Sequence, residues 1–257
     1  MRSVLESKPT TFSDIAELDE AAYRAFDLTI GSLSLEGEVG YNRRAFQDEK
    51  QPVGDYSRTF MHEIRVGGLL HAAGARPEVV ISGALHDAGK SNQEIRNIIT
   101  QERSITADER LIVARHAEFG SQELQGALVD PELNEAAAFA AANHHTLRPA
   151  YMASTHEGYL WGVTSLVHVA DKAESMLVDW EGRLAYKADR MTSEGLIDAQ
   201  GRPVMSKIIE DLLGIHAGKA YMGVKTADIV ELATSVMPDA DYIQQGVQEY
   251  RNRRNAA

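Results

Sequence analysis

Residues 57–90 read SRTFMHEIRVGGLLHAAGARPEVVISGALHDAGK, and this stretch decides the fold. Apolar residues recur at helical spacing from 57 to 73, and Gly74 ends the run. Pro77 then suits the first turn of the next helix, where its missing N–H would be unpaired anyway. That second helix carries VVISGALHDAG. The same spacing returns from about residue 12 to about residue 250, while alternating, strand-like patterns are nearly missing. The fold class is all-α, a helical bundle with additional N- and C-terminal helices.

Outward from this stretch, Thr106 followed by Glu109 makes a capping box, so ITADERLIVARHAEFG reads as one helix. Asp130-Pro131 repeats a start signal before ELNEAAAFAAANHH, whose small side chains let neighbouring helices approach closely. Residues 147 to 159 hold proline, glycine and polar residues and read as a loop beside the chemistry, ahead of the helix LWGVTSLVHVADKAESMLVDW. The first 50 residues and the last 50 or so are helical by pattern and carry no repeat or motif.

Composition narrows the chemistry. The chain has 257 residues, 44% hydrophobic and 25% charged, the balance of an ordinary globular protein. Cysteine is absent, which excludes disulfides, thiolate zinc sites and iron–sulfur clusters and leaves nitrogen and oxygen as metal ligands. A net charge of -12 argues against long nucleic acid as a partner, because such binding needs many basic side chains. No signal-like or bilayer-length apolar stretch is present, so the expectation is a cytoplasmic protein with no membrane partner.

Of the nine histidines, six fall between residues 62 and 145. His86-Asp87 sets an imidazole beside a carboxylate, so the histidine can hold one metal while the two carboxylate oxygens bridge to a second. His144 and His145 project about 100° apart on an ideal helix and can share one ion only near a helix end or distortion. Single ligands from separate helices, His62, His116 and Asp171, would complete a shell inside a bundle. His71, His168 and His216 read as hydrogen-bonded core residues, His156 as exposed, and Glu63 as a helix-surface residue or one behind the ligands.

In their order and spacing these residues resemble the HD superfamily of metal-dependent phosphohydrolases, most closely its HD-GYP branch of cyclic-dinucleotide phosphodiesterases. The resemblance covers about residues 57 to 190. His62-Glu-Ile-Arg65-Val66 is similar to the branch's opening histidine, and His86-Asp87-Ala88-Gly89-Lys90 to its His-Asp-x-Gly-Lys signature. Ile105 to Glu109 resembles its Leu-Thr-x-x-Glu run, His116-Ala-Glu-Phe-Gly120 its His-Pro-x-x-Gly element, and His144-His145 its double histidine. Val169-Ala170-Asp171 resembles the segment with its final metal-binding aspartate. The departures are Thr146 in place of a glutamate, a longer segment up to Gly158-Tyr159-Leu160 where a Gly-Tyr-Pro is expected, and Glu174 in place of a second aspartate. Arg183 and Tyr186-Lys187 match its Arg-Pro-Tyr-Lys segment loosely. Arg58 stands where the three-metal subset of the family has a glutamate, so two metals are expected.

The resemblance implies an HD-type catalytic core at 51–195, an N-terminal helical extension at 1–50, and C-terminal helices at 196–257 packed on the core. It implies metal ligands His62, His86, Asp87, His116, His144, His145 and Asp171, with Asp87 and Lys90 catalytic. Lys90, Arg65, Arg148, Glu174, Arg183 and Lys187 would contact a small phosphorylated substrate, a cyclic dinucleotide such as cyclic di-GMP. A nitrogen-rich site with a bridging carboxylate suits iron or manganese. Two divalent ions set against two aspartates keep a positive surplus that attracts phosphate. Two alternatives stay open, a mixed-valent di-iron oxygenase and a nucleotide sensor without turnover. Self-association into a homo-oligomer also stays open.

Overall fold

The computed structural model describes residues 11–33, 56–99, 105–146, 155–178, 191–245 and 247–248. Asp14 caps helix α1 (Ile15–Ile30), its carboxylate accepting from the N–H of Glu17 at 3.1 Å. Leu18, Ala22, Ala25 and Thr29 form its single buried stripe. Helix α2 (Tyr56–Ala72) follows and ends through Gly74, whose φ of 85° is the left-handed conformation that a helix stop of this kind uses. Pro77 opens α3 (Pro77–Ala84), which buries Val79 through Ala84.

Glycines interlock these three helices. A Cβ on Gly68 would stand 2.7 Å from the backbone nitrogen of Ala22. One on Gly67 would meet the Cβ atoms of Ala25 and Ala84 at 3.0 and 3.1 Å, and one on Gly83 would meet Leu70 Cδ1 at 2.4 Å. Backbone therefore lies almost on backbone where α1 crosses α2, which holds His62 at a fixed height above the end of α3.

After α3 come a 3-10 turn (Ala88–Ser91) and helices α4 (Gln93–Ile99), α5 (Ala107–Ala114), α6 (His116–Glu123) and α7 (Pro131–Asn143). The Thr106–Glu109 capping box is present, with backbone-to-side-chain bonds of 2.7 and 3.2 Å. The expected single helix over ITADERLIVARHAEFG is instead two, broken at Arg115. α5 buries none of its residues, whereas α6 buries His116 and Gly120 against the 3-10 turn and α7, so the break lets α6 follow the core on its own axis. Asp130 caps α7, accepting from the N–H groups of Glu132 and Leu133, and five of its alanines are buried.

Helix α8 (His156–Ala173) is the axis of the bundle, with thirteen buried residues, and packs on α2, α3 and α7. It starts earlier than the sequence suggests. Thr155 accepts from the N–H of Gly158 at 3.0 Å and caps it, so Gly158-Tyr159-Leu160 is helical first turn and not the end of a loop. A π-helical turn (Glu174–Val178) follows. The C-terminal part adds α9 (Met205–Leu213) and α10 (Thr226–Ser235), which pack on α8, and between them a two-residue-per-strand hairpin, β1 (Ala220–Tyr221) and β2 (Val224–Lys225). Its turn residues Met222 and Gly223 have φ of 51° and 85°, the two positive values a tight type I′ hairpin requires. The fold is all-α apart from this hairpin, which four residues of weak alternation did not announce. Among the described residues, no helix is long and apolar enough to cross a membrane.

His168 and His216 sit in the core, as expected of satisfied histidines. His168 Nδ1 donates to the carbonyl of His144 at 2.6 Å, and His216 Nδ1 lies 2.9 Å from the Tyr221 hydroxyl. Burial lowers both pKa values, that of His216 to about 4, so both rings are neutral near pH 7. For the α1–α2 crossing, Gly68→Ala is expected to cost about 1–3 kcal/mol through overpacking against backbone. The measurement is urea unfolding, which should show a lower midpoint with an unchanged slope.

Candidate metal centre

Five elements deliver seven side chains to one buried point. His62 comes from the middle of α2, and His86 and Asp87 from the turn that ends α3. His116 is the first residue of α6, His144 caps α7 with His145 in the turn after it, and Asp171 lies near the end of α8. Asp87 has φ -100° and ψ 12°, the sparsely used bridge region where site residues often sit. The turn that carries it is pressed onto α6. A Cβ on Gly89 would stand 1.9 Å from the carbonyl oxygen of His116 and 2.4 Å from the nitrogen of Gly120. The glycines of the two sequence elements thus touch each other, which is the physical reason both positions need glycine.

The tautomers follow from the neighbours. Nδ1 of His86, His116 and His144 faces the carbonyls of Gly83, Val113 and Ala141 at 2.7, 2.6 and 2.9 Å. A carbonyl only accepts, so each Nδ1 carries the proton and each Nε2 turns a lone pair inward. His62 Nδ1 likewise donates to the Glu174 carboxylate. These lone pairs converge: His116 Nε2 is 3.3 Å from His144 Nε2 and 3.1 Å from His145 Nε2.

Asp87 divides the cluster in two. Its Oδ1 is 3.2 Å from His116 Nε2 and 3.6 Å from His144 Nε2. Its Oδ2 is 3.4 Å from His86 Nε2 and 3.6 Å from His62 Nε2, and it is ion-paired with Lys90 Nζ. Asp171 Oδ1 joins this second set, 3.2 Å from His62 Nε2 and 3.8 Å from His86 Nε2. Of the three overlapping metal-competent groups, two share no residue, His116–His144–His145 and His62–His86–Asp171, and the third, His86–Asp87–His144, joins them through Asp87.

The donor set fits divalent cations. His86 Nε2 and Asp87 Oδ1 are buried with no hydrogen-bond partner, a condition that buried polar atoms rarely tolerate. Lone pairs facing lone pairs repel unless a cation lies between them. Donor atoms about 2.1 Å from one ion stand roughly 3.0 to 3.4 Å apart, which is the spacing found within the His116 set.

Electrostatics keeps the groups in ligand form. Burial opposes the charge on Asp87, but Lys90 and the surrounding imidazoles outweigh it and hold the carboxyl well below its usual range. Asp171 is held down in the same way, by His62 first. Burial lowers His144, and lowers His145 to about 4, keeping both neutral. His62 is the exception. Burial disfavours its cation, yet Glu174 and Asp171 prevail and set its pKa at about 10, so a proton is what an incoming ion must displace there.

The substrate contacts expected from the sequence fare differently. Lys90 stands at the edge with its side chain 23% exposed, and burial notwithstanding, Asp87 raises its pKa. Arg65 and Glu174 lie behind the ligands. Glu174 is fully buried against the far nitrogen of His62, and Arg65 is held by Asp19 through bonds of 2.6 and 3.1 Å. Arg148, Arg183, Lys187 and the side chain of Arg58 lie outside the described residues. Tyr159 is far from the centre: it opens α8 twelve residues before Asp171, roughly 18 Å along the helix. Burial and the Glu78 carboxylate push its pKa up to about 12. His168 is the hydrogen-bonded core residue expected from the sequence, and the structure adds which group it holds, the His144 carbonyl, a role the sequence hints at by spacing alone. His168, Asp171 and Glu174 share one face at i, i+3 and i+6, and that spacing was its only signal.

A family model described as "HD domain" matches residues 59–194, more than half of the chain. No curated protein and no solved structure matches.

Two outcomes test the centre. Gly89→Ala should abolish tight metal uptake while the helical circular dichroism is largely kept, because the new methyl must displace the backbone of His116. Metal uptake at pH 7 should also release a proton from His62, so affinity should fall as pH falls below about 10. Calorimetry in two buffers of different ionisation enthalpy reads that proton.

Proposed function

The chain belongs to the HD-domain family, whose members are generally metal-dependent hydrolases, and we propose that it hydrolyses a small phosphodiester at a dinuclear centre. The substrate class favoured by its likeness to the HD-GYP branch is a cyclic dinucleotide such as cyclic di-GMP, and the metals are iron or manganese. The observation that carries the reading is the Asp87 carboxylate, which turns one oxygen to each of two histidine-containing sets. His145 supports hydrolysis over oxygen activation, because its Nε2, 3.1 Å from His116 Nε2, would fill a ligand position that dioxygen would need.

Bound divalent ions would supply Lewis-acid charge and lower the pKa of water near the phosphorus. The chain's own part is positional. Four imidazoles are locked by Nδ1 hydrogen bonds, so little rearrangement is needed when a phosphate arrives. Lys90 keeps a full charge at the edge, and its ammonium can pass from Asp87 to a phosphate oxygen, offsetting the negative charge that builds as the ester bond breaks. Next to the double histidine the chain differs from the HD-GYP pattern at Thr146, which supports altered base selectivity with retained chemistry.

The variants should separate by phenotype. Asp87→Ala is expected to lose both metals, from near two per chain to near zero. Lys90→Ala should keep them and lose roughly 10- to 100-fold in kcat/KM, the worth of one charge-assisted contact. Elemental analysis and steady-state kinetics check the pair. The activity test is a screen of the Mn(II)- or Fe(II)-loaded protein against cyclic dinucleotides, cyclic mononucleotides, nucleoside triphosphates and phosphonates, with and without oxygen. Oxygen-independent cleavage of a cyclic dinucleotide is the expected result. Product formation only with oxygen, or binding without turnover, overturns the proposal.

A further inference from the structure

The two metal-competent groups are built unequally. In the His116 set the donors are three imidazoles, two of them against Asp87 Oδ1, with His145 at the exposed edge. The nitrogens behind His116 and His144 face only peptide carbonyls, as does that behind His86 in the other set. The His62 set adds the Asp171 carboxylate, and His62 is backed by a second carboxylate, Glu174. Lys90 on Asp87 Oδ2 offsets part of this negative charge without cancelling it.

Glu174 does not stand by itself. It is the first residue of the π-helical turn, and Oε2 takes the His62 proton while Oε1, buried and without a hydrogen bond, lies 4.0 Å from Arg65 Nη1. Arg65 is one turn along α2 from His62 and is gripped by both oxygens of Asp19 on α1. A line of alternating charge thus runs Asp19–Arg65–Glu174–His62, from the N-terminal helix to one side of the centre. A carboxylate on the far nitrogen raises the basicity of an imidazole ligand and fixes its ring. The guanidinium faces that carboxylate at ion-pair distance, and Asp19 aims the guanidinium.

We infer that Glu174, backed by Arg65 and Asp19, is a positioning residue that makes the His62 side the tighter of the two metal sites once its ring has given up its proton, so that the seating of helix α1 sets the affinity of that site. The inference rests on the dinuclear reading above and deepens it. It gives the N-terminal helix, which contributes no ligand, a grip on metal loading.

The test is a titration of metal-stripped, full-length protein with Mn(II) at two or more pH values, which separates metal affinity from displacement of the His62 proton, free Mn(II) being read by electron paramagnetic resonance. The wild type should fill in two steps at least about tenfold apart, and His145→Ala should weaken the looser step alone. Glu174→Gln keeps an acceptor for His62 but removes the charge, and should weaken the tighter step roughly 10- to 100-fold with the looser step unchanged. Asp19→Asn, on the partly exposed end of the line, should weaken the same step severalfold, and it decides the matter if Glu174→Gln does not fold. No binding by the wild type would remove the dinuclear reading itself. Two steps of equal affinity, or equal weakening of both steps by Glu174→Gln or Asp19→Asn, would leave that reading standing and overturn this inference.

Discussion

A carboxylate at the centre of a helical core has to be matched by positive charge or directed donors, and the Asp87 carboxylate is 1% exposed. Everything around it answers to that requirement. α2, the end of α3, α6 and the end of α7 each bring an imidazole to within 3.6 Å of its oxygens, and α8 brings Asp171 to two of those imidazoles. The apolar core on α8 supplies the stabilisation that keeps these mutually repelling lone pairs together. The site is therefore a local conflict held in place by the packing of the rest of the molecule, which a bound cation turns into an attraction.

Glycine does the fine positioning. Gly67, Gly68 and Gly83 let α1, α2 and α3 meet at backbone distance, and the Gly89–Gly120 contact lays the Asp87 turn on the start of α6. At Gly68 and Gly89 a methyl group would run into backbone of the facing segment, which would have to move outward. Small residues in the signature elements are thus part of the coordination geometry although none of them touches an ion.

The histidines divide by what stands behind them. His86, His116 and His144 are tethered to carbonyls of their own local turns, three residues back, so their orientation is set within one segment. His62 is tethered across 112 residues to Glu174, and His144 is held a second time through its own carbonyl by His168. Local tethers make the rings rigid. Distant ones make the centre responsive to how the terminal parts of the chain are seated, through α1 on one side and the hairpin that contacts His216 on the other.

The sequence by itself determined what depends on near neighbours. Helix starts at Thr106 and Asp130-Pro131 and the stop at Gly74 were legible because capping is settled within four residues, and the helical period settled the class. The seven ligand candidates were legible because few chemistries need His-Asp and His-His pairs in one bundle. Tertiary structure alone decided which oxygen of Asp87 meets which histidines, that Arg65 and Glu174 stand behind His62, and that Tyr159 opens α8 away from the centre. It also decided the break at Arg115 and the small hairpin. The direction of a side chain depends on the rotation and crossing of its helix, and these are fixed by packing between segments a hundred residues apart, which no local pattern encodes.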